Sequence, residues 1–464
     1  MKPSPTPVSA PVLERRLGAL DAAAIIVSNV IGGGILFTPP QIAAAVPNAL
    51  LFLSVWAAGG LLAFAGAMAY AELAALRPRA GGEYVYLRDA FGRLAAFLTG
   101  WTSFVAGFSG AIASSALFFP FYLSRFIPVA GDSTPFLTVP IIPGTLQLTF
   151  SPQTTCAVAL IWGFAWIHRR GVGPGRLVSN LLAGLKASAF VLFIAFGFAF
   201  GSGDPARLTQ TAAPVAATGW LLALLAVGFT YSGWNAASYV AEEIRTPGRN
   251  APLAFAIGTG TVVAIYLAMN ALYLYVVPVD ELAKVDASVL DFVADRLIGP
   301  TAGNIMGVVA LISLAASISA MTFAGPRVYF AMARDAVFFR RAASIHDRFR
   351  TPAAAIVAQA IWSSLLVLSA TGEALINYTG FAIWLFSGIA VLALFVLRAR
   401  EPNAARPFRV WGYPFVPGLY ALTAMLVVLN ALWNAPGPTG AGALIILAGI
   451  PLYAVLRRKN ANAV

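Results

Sequence analysis

Long apolar runs recur along this chain of 464 residues, and they limit its possible folds more than any other feature. As an α-helix, a run of about 18 or more apolar residues can cross a hydrocarbon core roughly 30 Å thick. With 59% hydrophobic and only 10% charged residues, the chain leaves no room for a soluble domain between these runs. The sequence therefore predicts an all-α integral membrane protein. We place twelve transmembrane helices at residues 19–45, 49–76, 91–126, 153–168, 177–201, 216–244, 251–278, 301–333, 352–371, 374–398, 413–434 and 440–457.

Positive charge is divided unevenly between the connections of these helices. On the predicted topology, 25 of the 30 Lys and Arg residues lie at one side of the membrane, and four lie at the other: Arg125, Arg207, Lys284 and Arg296. Loops rich in Lys and Arg stay in the cytoplasm. We therefore expect a multi-pass protein of the cell inner (plasma) membrane with both termini cytoplasmic. The net charge of +12 then reflects topology and not a nucleic-acid partner.

The residues that would support catalysis or metal binding are scarce. Cys156 is the single cysteine, so neither a disulfide framework nor a cysteine metal cluster is expected. His168 and His346 are predicted to lie in basic cytoplasmic loops, solvated or facing lipid headgroups, without the partners of a catalytic triad. The glycines at 32–34 lack the Gly-Lys-Ser/Thr that completes a phosphate-binding loop. We therefore expect no enzyme, no metal, no cofactor and no ATP-driven transport.

Two of the apolar helices are interrupted by glycine and polar residues. The first interruption spans residues 28–37 and the second spans residues 229–235. Non-helical backbone is tolerated at membrane depth only where it faces protein or a water-filled cavity. Freed N–H groups at a half-helix N-terminus can bind a carboxylate, and freed carbonyls can accept hydrogen bonds from an ammonium. Glycines can instead permit close helix packing, but two breaks in matching positions favour a substrate site of a transporter.

Several segments resemble one family in order and spacing. They resemble the amino acid-polyamine-organocation superfamily and, within it, the L-type amino acid transporter branch. The matching segments are Ile31-Gly32-Gly33-Gly34-Ile35-Leu36-Phe37-Thr38-Pro39, Tyr70-Ala71-Glu72-Leu73, Pro78-Arg79-Ala80-Gly81-Gly82-Glu83-Tyr84, Phe229 to Asn235, Glu242-Glu243-Ile244-Arg245-Thr246-Pro247 and Arg406-Pro407-Phe408-Arg409-Val410-Trp411-Gly412-Tyr413-Pro414.

The resemblance implies a LeuT-type fold with discontinuous helices 1 and 6. In that fold, two inverted repeats of five helices are followed by two peripheral helices. Mapped onto this sequence, residues 1–16 form a cytoplasmic tail, 17–201 the first repeat, 216–398 the second repeat and 413–457 the peripheral helices. The whole chain is then a single transporter domain.

The resemblance also implies a substrate site at the two breaks. The N–H groups of Gly33 and Gly34, next to Gly32, would hold the carboxylate of an amino acid. The carbonyls of Val30, Phe229 and Ser232 would accept hydrogen bonds from its ammonium group, and the Phe229 ring would close over the substrate as a gate. Further substrate-site and pocket-lining candidates are small polar or aromatic residues: Ser28, Asn29, Ser109, Asn235, Ser319 and Trp384.

Lys186 is the ionisable residue placed deepest in a predicted span. It lies about nine residues from the cytoplasmic end, hence roughly 13 Å deep, where a charge costs about 2.5 to 3.5 kcal/mol on insertion scales. Such a residue is expected to face the bundle interior. The resemblance implies that its ammonium replaces the sodium ion of sodium-coupled relatives, beside the first break.

Acidic residues are absent from both breaks. Glu72, Glu242 and Glu243 fall near cytoplasmic span ends, where ion pairs with Arg77, Arg245 or other loop arginines are expected. Without a counter-ion for a cationic side chain, the sequence favours neutral amino acids. The resemblance implies that eukaryotic heteromeric members carry a cysteine between spans 3 and 4 for a disulfide to a heavy chain. Residues 127–150 contain none, so we expect no disulfide-linked heavy chain and infer a stand-alone, prokaryotic protein.

Together, these observations predict sodium-independent transport of neutral L-amino acids by alternating access, most simply as exchange. Proton-coupled amino acid symport and the transport of cationic amino acids or polyamines remain alternatives. A receptor would need an added signalling domain, and a channel would not need two half-helix sites.

Overall fold

The computed structural model describes residues 13–142, 146–286, 288–299, 302–369 and 372–461. Its first half contains α1 (Ala19–Val30), α2 (Gly33–Phe37), α3 (Pro39–Ala45), α4 (Ala49–Leu76), α5 (Glu83–Phe91), α6 (Arg93–Thr102), α7 (Phe108–Leu123), α8 (Pro152–Arg169) and α9 (Val172–Phe200). Its second half contains α10 (Ala217–Thr230), α11 (Ala236–Tyr239), α12 (Pro247–Val276), α13 (Val279–Leu282), α14 (Val289–Ile298), α15 (Ala302–Ala324), α16 (Pro326–Arg334), α17 (Ala353–Leu368), α18 (Gly372–Arg400), α19 (Phe415–Asn434), α20 (Pro436–Leu447) and α21 (Gly449–Ala461).

The predicted all-α membrane architecture is confirmed. Nine helical stretches within the described residues are long and apolar enough to cross a membrane, and α10 and α17 are shorter apolar helices. Helix α8 has 18 residues and occupies the remaining predicted span. One feature was not predicted: β1 (Leu137–Ile142) and β2 (Leu146–Phe150) form an antiparallel hairpin between α7 and α8.

Both predicted helix discontinuities are present. Helix α1 ends at Val30 and α2 begins at Gly33, with extended backbone at the intervening Ile31. Helix α10 ends at Thr230 and α11 begins at Ala236. Helix α1 contacts α9, α12 and α15, and α10 contacts α4, with Ile31, Tyr231 and Trp234 of the two breaks buried. The non-helical backbone therefore faces protein and not lipid, as the chemistry of peptide groups in hydrocarbon requires.

A third helix is distorted near its middle. Residues Ser103–Gly107 form a π-helical turn between α6 and α7. Such turns insert one extra residue per turn and are frequent at functional sites. This turn lies on the wall of the central cavity described below.

Candidate functional site

The two helix breaks touch each other. At Gly34 an added Cβ would lie 2.7 Å from the Thr230 side chain, so only glycine allows this approach. Gly233 has a φ of +102° and faces the backbone of Asn29, where an added Cβ would lie 3.1 Å from the carbonyl. The glycines predicted at the breaks therefore bring the two half-helix ends together.

Gly33 has a different environment from Gly34. The nearest atom to an added Cβ outside its immediate chain neighbours is 3.8 Å away, on the Phe37 ring. A methyl group at Gly33 would therefore make an ordinary van der Waals contact and no clash. A substitution at Gly33 can test carboxylate binding by its N–H group without the steric clash that Gly34 would suffer.

Two of the carbonyls predicted to bind an ammonium group already have a partner. The Val30 carbonyl accepts a hydrogen bond from the Tyr266 hydroxyl at 2.9 Å. The Phe229 carbonyl accepts one from the Ser232 backbone N–H at 2.9 Å. A carbonyl oxygen has two lone pairs, so each retains the capacity for a second donor.

Lys186 reaches the first break from α9. Its ammonium donates to the carbonyl of Ser28 at 3.2 Å, to the carbonyl of Ile31 and to the hydroxyl of Ser317 at 3.1 Å. The side chain is fully buried. Ser317, on α15, also donates toward both carbonyls. Lys186 therefore holds the break through oxygen atoms of the kind that also coordinate small cations.

A cavity of about 180 Å³, here called the central cavity, opens beside the breaks. Three predicted site residues line it, namely Asn29, Ser232 and Asn235. Further lining residues, most of them from remote segments, were not predicted from the sequence: Glu83, Thr102, Ser103, Phe108, Tyr239 and Phe386. The π-turn that begins at Ser103 is the feature that sequence alone could not reveal, because its segment is as apolar as the rest of the span.

Glu83 corrects the expectation that no acidic residue lies at a break. Its carboxylate accepts hydrogen bonds from the Asn235 amide at 2.7 Å and from the Tyr70 hydroxyl at 2.6 Å. Asn235 in turn donates to the Tyr239 hydroxyl at 2.9 Å. Glu83 lies far from the second break in sequence, so a search for acids within the break itself could not find it.

The wall of the central cavity does not include the predicted substrate-site residues Val30, Gly32, Gly33, Gly34 and Phe229, and four predicted pocket-lining residues also lie outside it. Ser28 is buried and contributes its carbonyl to the Lys186 site. Ser109 is also fully buried. The Ser319 hydroxyl contacts His168 at 2.9 Å. Trp384 stacks on Tyr420 with ring centroids 6.1 Å apart.

The predicted solvated position of His168 is wrong. The residue is 1% exposed on α8, and its Nε2 atom contacts the Ser319 hydroxyl. Ser319 also contacts the hydroxyl of Ser179 at 3.3 Å. Helix α8 extends through Arg169, so the histidine lies on the last helical turn and faces the bundle interior.

The acidic residues near the predicted cytoplasmic ends do pair with arginines; Glu242 pairs with Arg334 at a partly exposed position, whereas Glu72 and Glu243 are buried. Glu72 is fully buried and pairs with Arg398 at 2.6 Å. Glu243 pairs with Arg327 at 2.8 Å, and both side chains have no exposed surface. The expected partner Arg77 instead pairs with other carboxylates.

Comparisons with known proteins agree with this architecture. The amino acid permease family model matches residues 17–456. The chain is 29% identical over 447 residues to the large neutral amino acids transporter small subunit 2 of Mus musculus, covering 95% of this chain and 81% of that protein. It is 29% identical over 432 residues to the b(0,+)-type amino acid transporter 1 of Mus musculus, covering 91% and 84%.

A third relative, the Asc-type amino acid transporter 1 of Mus musculus, is 29% identical over 447 residues, covering 95% of this chain and 81% of that protein. The family match extends over both helix breaks, Lys186 and the Glu83 segment. These proteins are transporters and not enzymes. The chain therefore belongs to the amino acid permease family, within the amino acid-polyamine-organocation superfamily.

Proposed function

We propose that this protein exchanges neutral L-amino acids across the cell membrane without sodium, by alternating access. The observation that carries the proposal is the Lys186 ammonium at the carbonyls of Ser28 and Ile31. A fixed cation at these oxygens does the electrostatic work of a bound metal ion and leaves no need for one. The names of the relatives, which include neutral amino acid transporters, support this substrate class.

The substrate is proposed to bind across the two breaks. Its carboxylate would accept hydrogen bonds from the N–H groups of Gly33 and Gly34, and a Cβ added at Gly33 would meet no side chain closer than 3.8 Å. Its ammonium would donate to the carbonyls of Val30, Phe229 and Ser232. The side chain would enter the central cavity, whose wall is largely apolar, with Phe108 and Phe386 among its residues.

We also propose a membrane topology and a division into repeats. Both termini would be cytoplasmic, with residues 17–201 and 216–398 as the two inverted repeats and 413–457 as peripheral helices. The name of one relative describes a small subunit. Because Cys156 is the single cysteine and lies at the start of α8, we propose that this chain works without a disulfide-linked heavy chain.

One rival mechanism has structural support. Proton-coupled symport requires a protonatable group that communicates with the substrate, and the Glu83 carboxylate lines the central cavity. The two mechanisms differ in what drives uptake. Exchange requires amino acid on the opposite side, whereas symport requires a proton gradient.

Purified protein in liposomes distinguishes these mechanisms. Uptake of labelled L-leucine would be measured with and without internal L-leucine, in sodium, potassium or choline salts, and with or without an imposed proton gradient. We expect uptake that depends on internal leucine and is the same in all three salts. Uptake driven by the proton gradient into empty liposomes would favour symport, and a sodium requirement would reject the role assigned to Lys186.

A further inference from the structure

Glu83 is an acidic side chain on the wall of the central cavity. It begins α5, in the connection between α4 and α6, and only 6% of its surface is exposed. The carboxylate Oε1 atom accepts hydrogen bonds from both Tyr70 and Asn235. The cavity thus has a carboxylate beside the second helix break.

The surroundings of Glu83 are polar but not basic. The titratable groups that face it are the hydroxyls of Tyr70 on α4, Tyr86 on α5, Tyr239 on α11 and Tyr420 on α19. Within the described residues, no Lys, Arg or His forms a salt bridge with this carboxylate. When ionised, the Glu83 carboxylate therefore has hydrogen-bond donors but no counter-ion among the described residues.

A buried carboxylate without a counter-ion favours its protonated form. Burial accordingly raises the pKa of the Glu83 carboxyl, while hydrogen bonds from Tyr70, Asn235 and Tyr239 lower it and partly offset that effect. A cation entering the cavity would supply the missing partner and would stabilise the ionised form. A cavity that holds a cationic side chain and an ionised Glu83 would then carry the same net charge as one that holds a neutral side chain and a protonated Glu83.

We propose that Glu83 determines which side-chain charges the transporter accepts. With a neutral substrate bound, Glu83 retains its proton. When a substrate with a cationic side chain binds, the Glu83 proton leaves to water and the carboxylate pairs with the guanidinium or ammonium group. This inference rests on the proposed function, because it assigns a second substrate class, cationic amino acids, to the same site.

The shape of the wall suits a long cationic side chain. Asn235, which donates to Glu83, lies three residues beyond Ser232 in the same break. The apolar side chains of Phe108, Ile383 and Phe386 line the same cavity and can cover the methylene stem of arginine or lysine. The charged end would then reach the carboxylate while the stem stays in contact with apolar surface.

The test compares L-arginine with L-citrulline as inhibitors of labelled L-leucine exchange in liposomes. Citrulline has nearly the shape of arginine but a neutral side chain. Because the carboxylate is ionised above its pKa, inhibition by arginine should strengthen as the pH rises from 5.5 to 8, whereas inhibition by citrulline should stay constant. This wild-type series needs no variant.

Glu83→Gln provides the matching variant, because a glutamine Oε1 atom can accept the same two hydrogen bonds. It should weaken inhibition by arginine about tenfold to a hundredfold, the range for a lost hydrogen bond to a charged group. The readout is the ratio of the arginine and citrulline inhibition constants within the variant, which should become independent of pH whatever the rate of leucine exchange. Glu281→Gln is the control, since Glu281 pairs with Arg296 away from the cavity and should leave both inhibitors unchanged.

Equal, pH-independent inhibition by arginine and citrulline in the wild type would overturn the role of Glu83. Absence of arginine inhibition at every pH would overturn it as well. Either result would leave neutral amino acid exchange intact. By contrast, absence of leucine exchange by the wild type would reject the proposed function itself, together with this inference.

Discussion

Replacing Lys186 by methionine removes the charge at the first helix break while keeping most of the side-chain volume. The change deletes the hydrogen bonds from the ammonium to Ser28, Ile31 and Ser317. The two carbonyls do not become orphans, because the Ser317 hydroxyl lies 3.0 Å from one and 3.3 Å from the other. A single hydroxyl has only one proton, so it cannot fully satisfy both.

The free energy lost in Lys186→Met follows from this partial replacement of hydrogen bonds. A hydrogen bond to a charged group contributes about 1.5 to 3 kcal/mol, and a buried unsatisfied carbonyl costs about 1 to 3 kcal/mol. With one of two carbonyls left without a strong donor, the conformation that binds substrate should lose about 3 kcal/mol, on the order of a hundredfold in its population. Removal of a buried ammonium also relieves its desolvation cost. The thermal midpoint should therefore change much less than transport does.

The assay is exchange of labelled L-leucine in liposomes, with thermal unfolding in detergent measured on the same preparations. Lys186→Met should reduce the exchange rate on the order of a hundredfold. Lys284→Met is the matched control, since Lys284 is exposed in the connection after α13 and should keep the wild-type rate. Near-normal exchange by Lys186→Met would refute the electrostatic role of the lysine.

Three further predictions concern separate parts of the molecule. Gly33→Ala adds a methyl group that only contacts the Phe37 ring, so the thermal midpoint should be retained. The methyl group should hinder the approach of a carboxylate to this backbone and lower the substrate affinity measured by calorimetry at least about tenfold; unchanged affinity would reject carboxylate binding at this N–H. The Phe229 side chain is 41% exposed at the end of α10. Phe229→Ala should lower the exchange rate by a larger factor than it weakens equilibrium binding, because closure of the site is a conformational step. Equal losses of exchange rate and binding affinity would indicate a packing contact. Arg327→Met leaves the Glu243 carboxylate buried without its partner and should destabilise the protein by about 3 to 5 kcal/mol. Adding Glu243→Gln should partly restore the thermal midpoint, because it removes the unpaired carboxylate. An unshifted midpoint in Arg327→Met alone would contradict the predicted destabilisation.

Much of the fold follows from the sequence, because the membrane imposes simple rules on it. The twelve apolar spans were recognisable because each must satisfy its own backbone inside hydrocarbon. The breaks at Gly32 and Gly233 were visible for the same reason, since glycine and polar residues interrupt otherwise uniform apolar runs. Lys186 was recognisable because an isolated charge at that depth requires a specific partner.

The composition of the cavity wall was decided by the tertiary structure alone. Glu83 belongs to a connecting segment, and only the packing of α5 against the second break brings its carboxylate to Asn235. His168 was predicted to be solvated and is buried against Ser319, because the last turn of α8 packs against α15, which carries that serine. The sequence determined which segments enter the membrane and where the helices break, since both depend on local hydropathy and backbone chemistry. The residues that line the central cavity depend on contacts between segments remote in sequence, and local chemistry carries no record of those contacts.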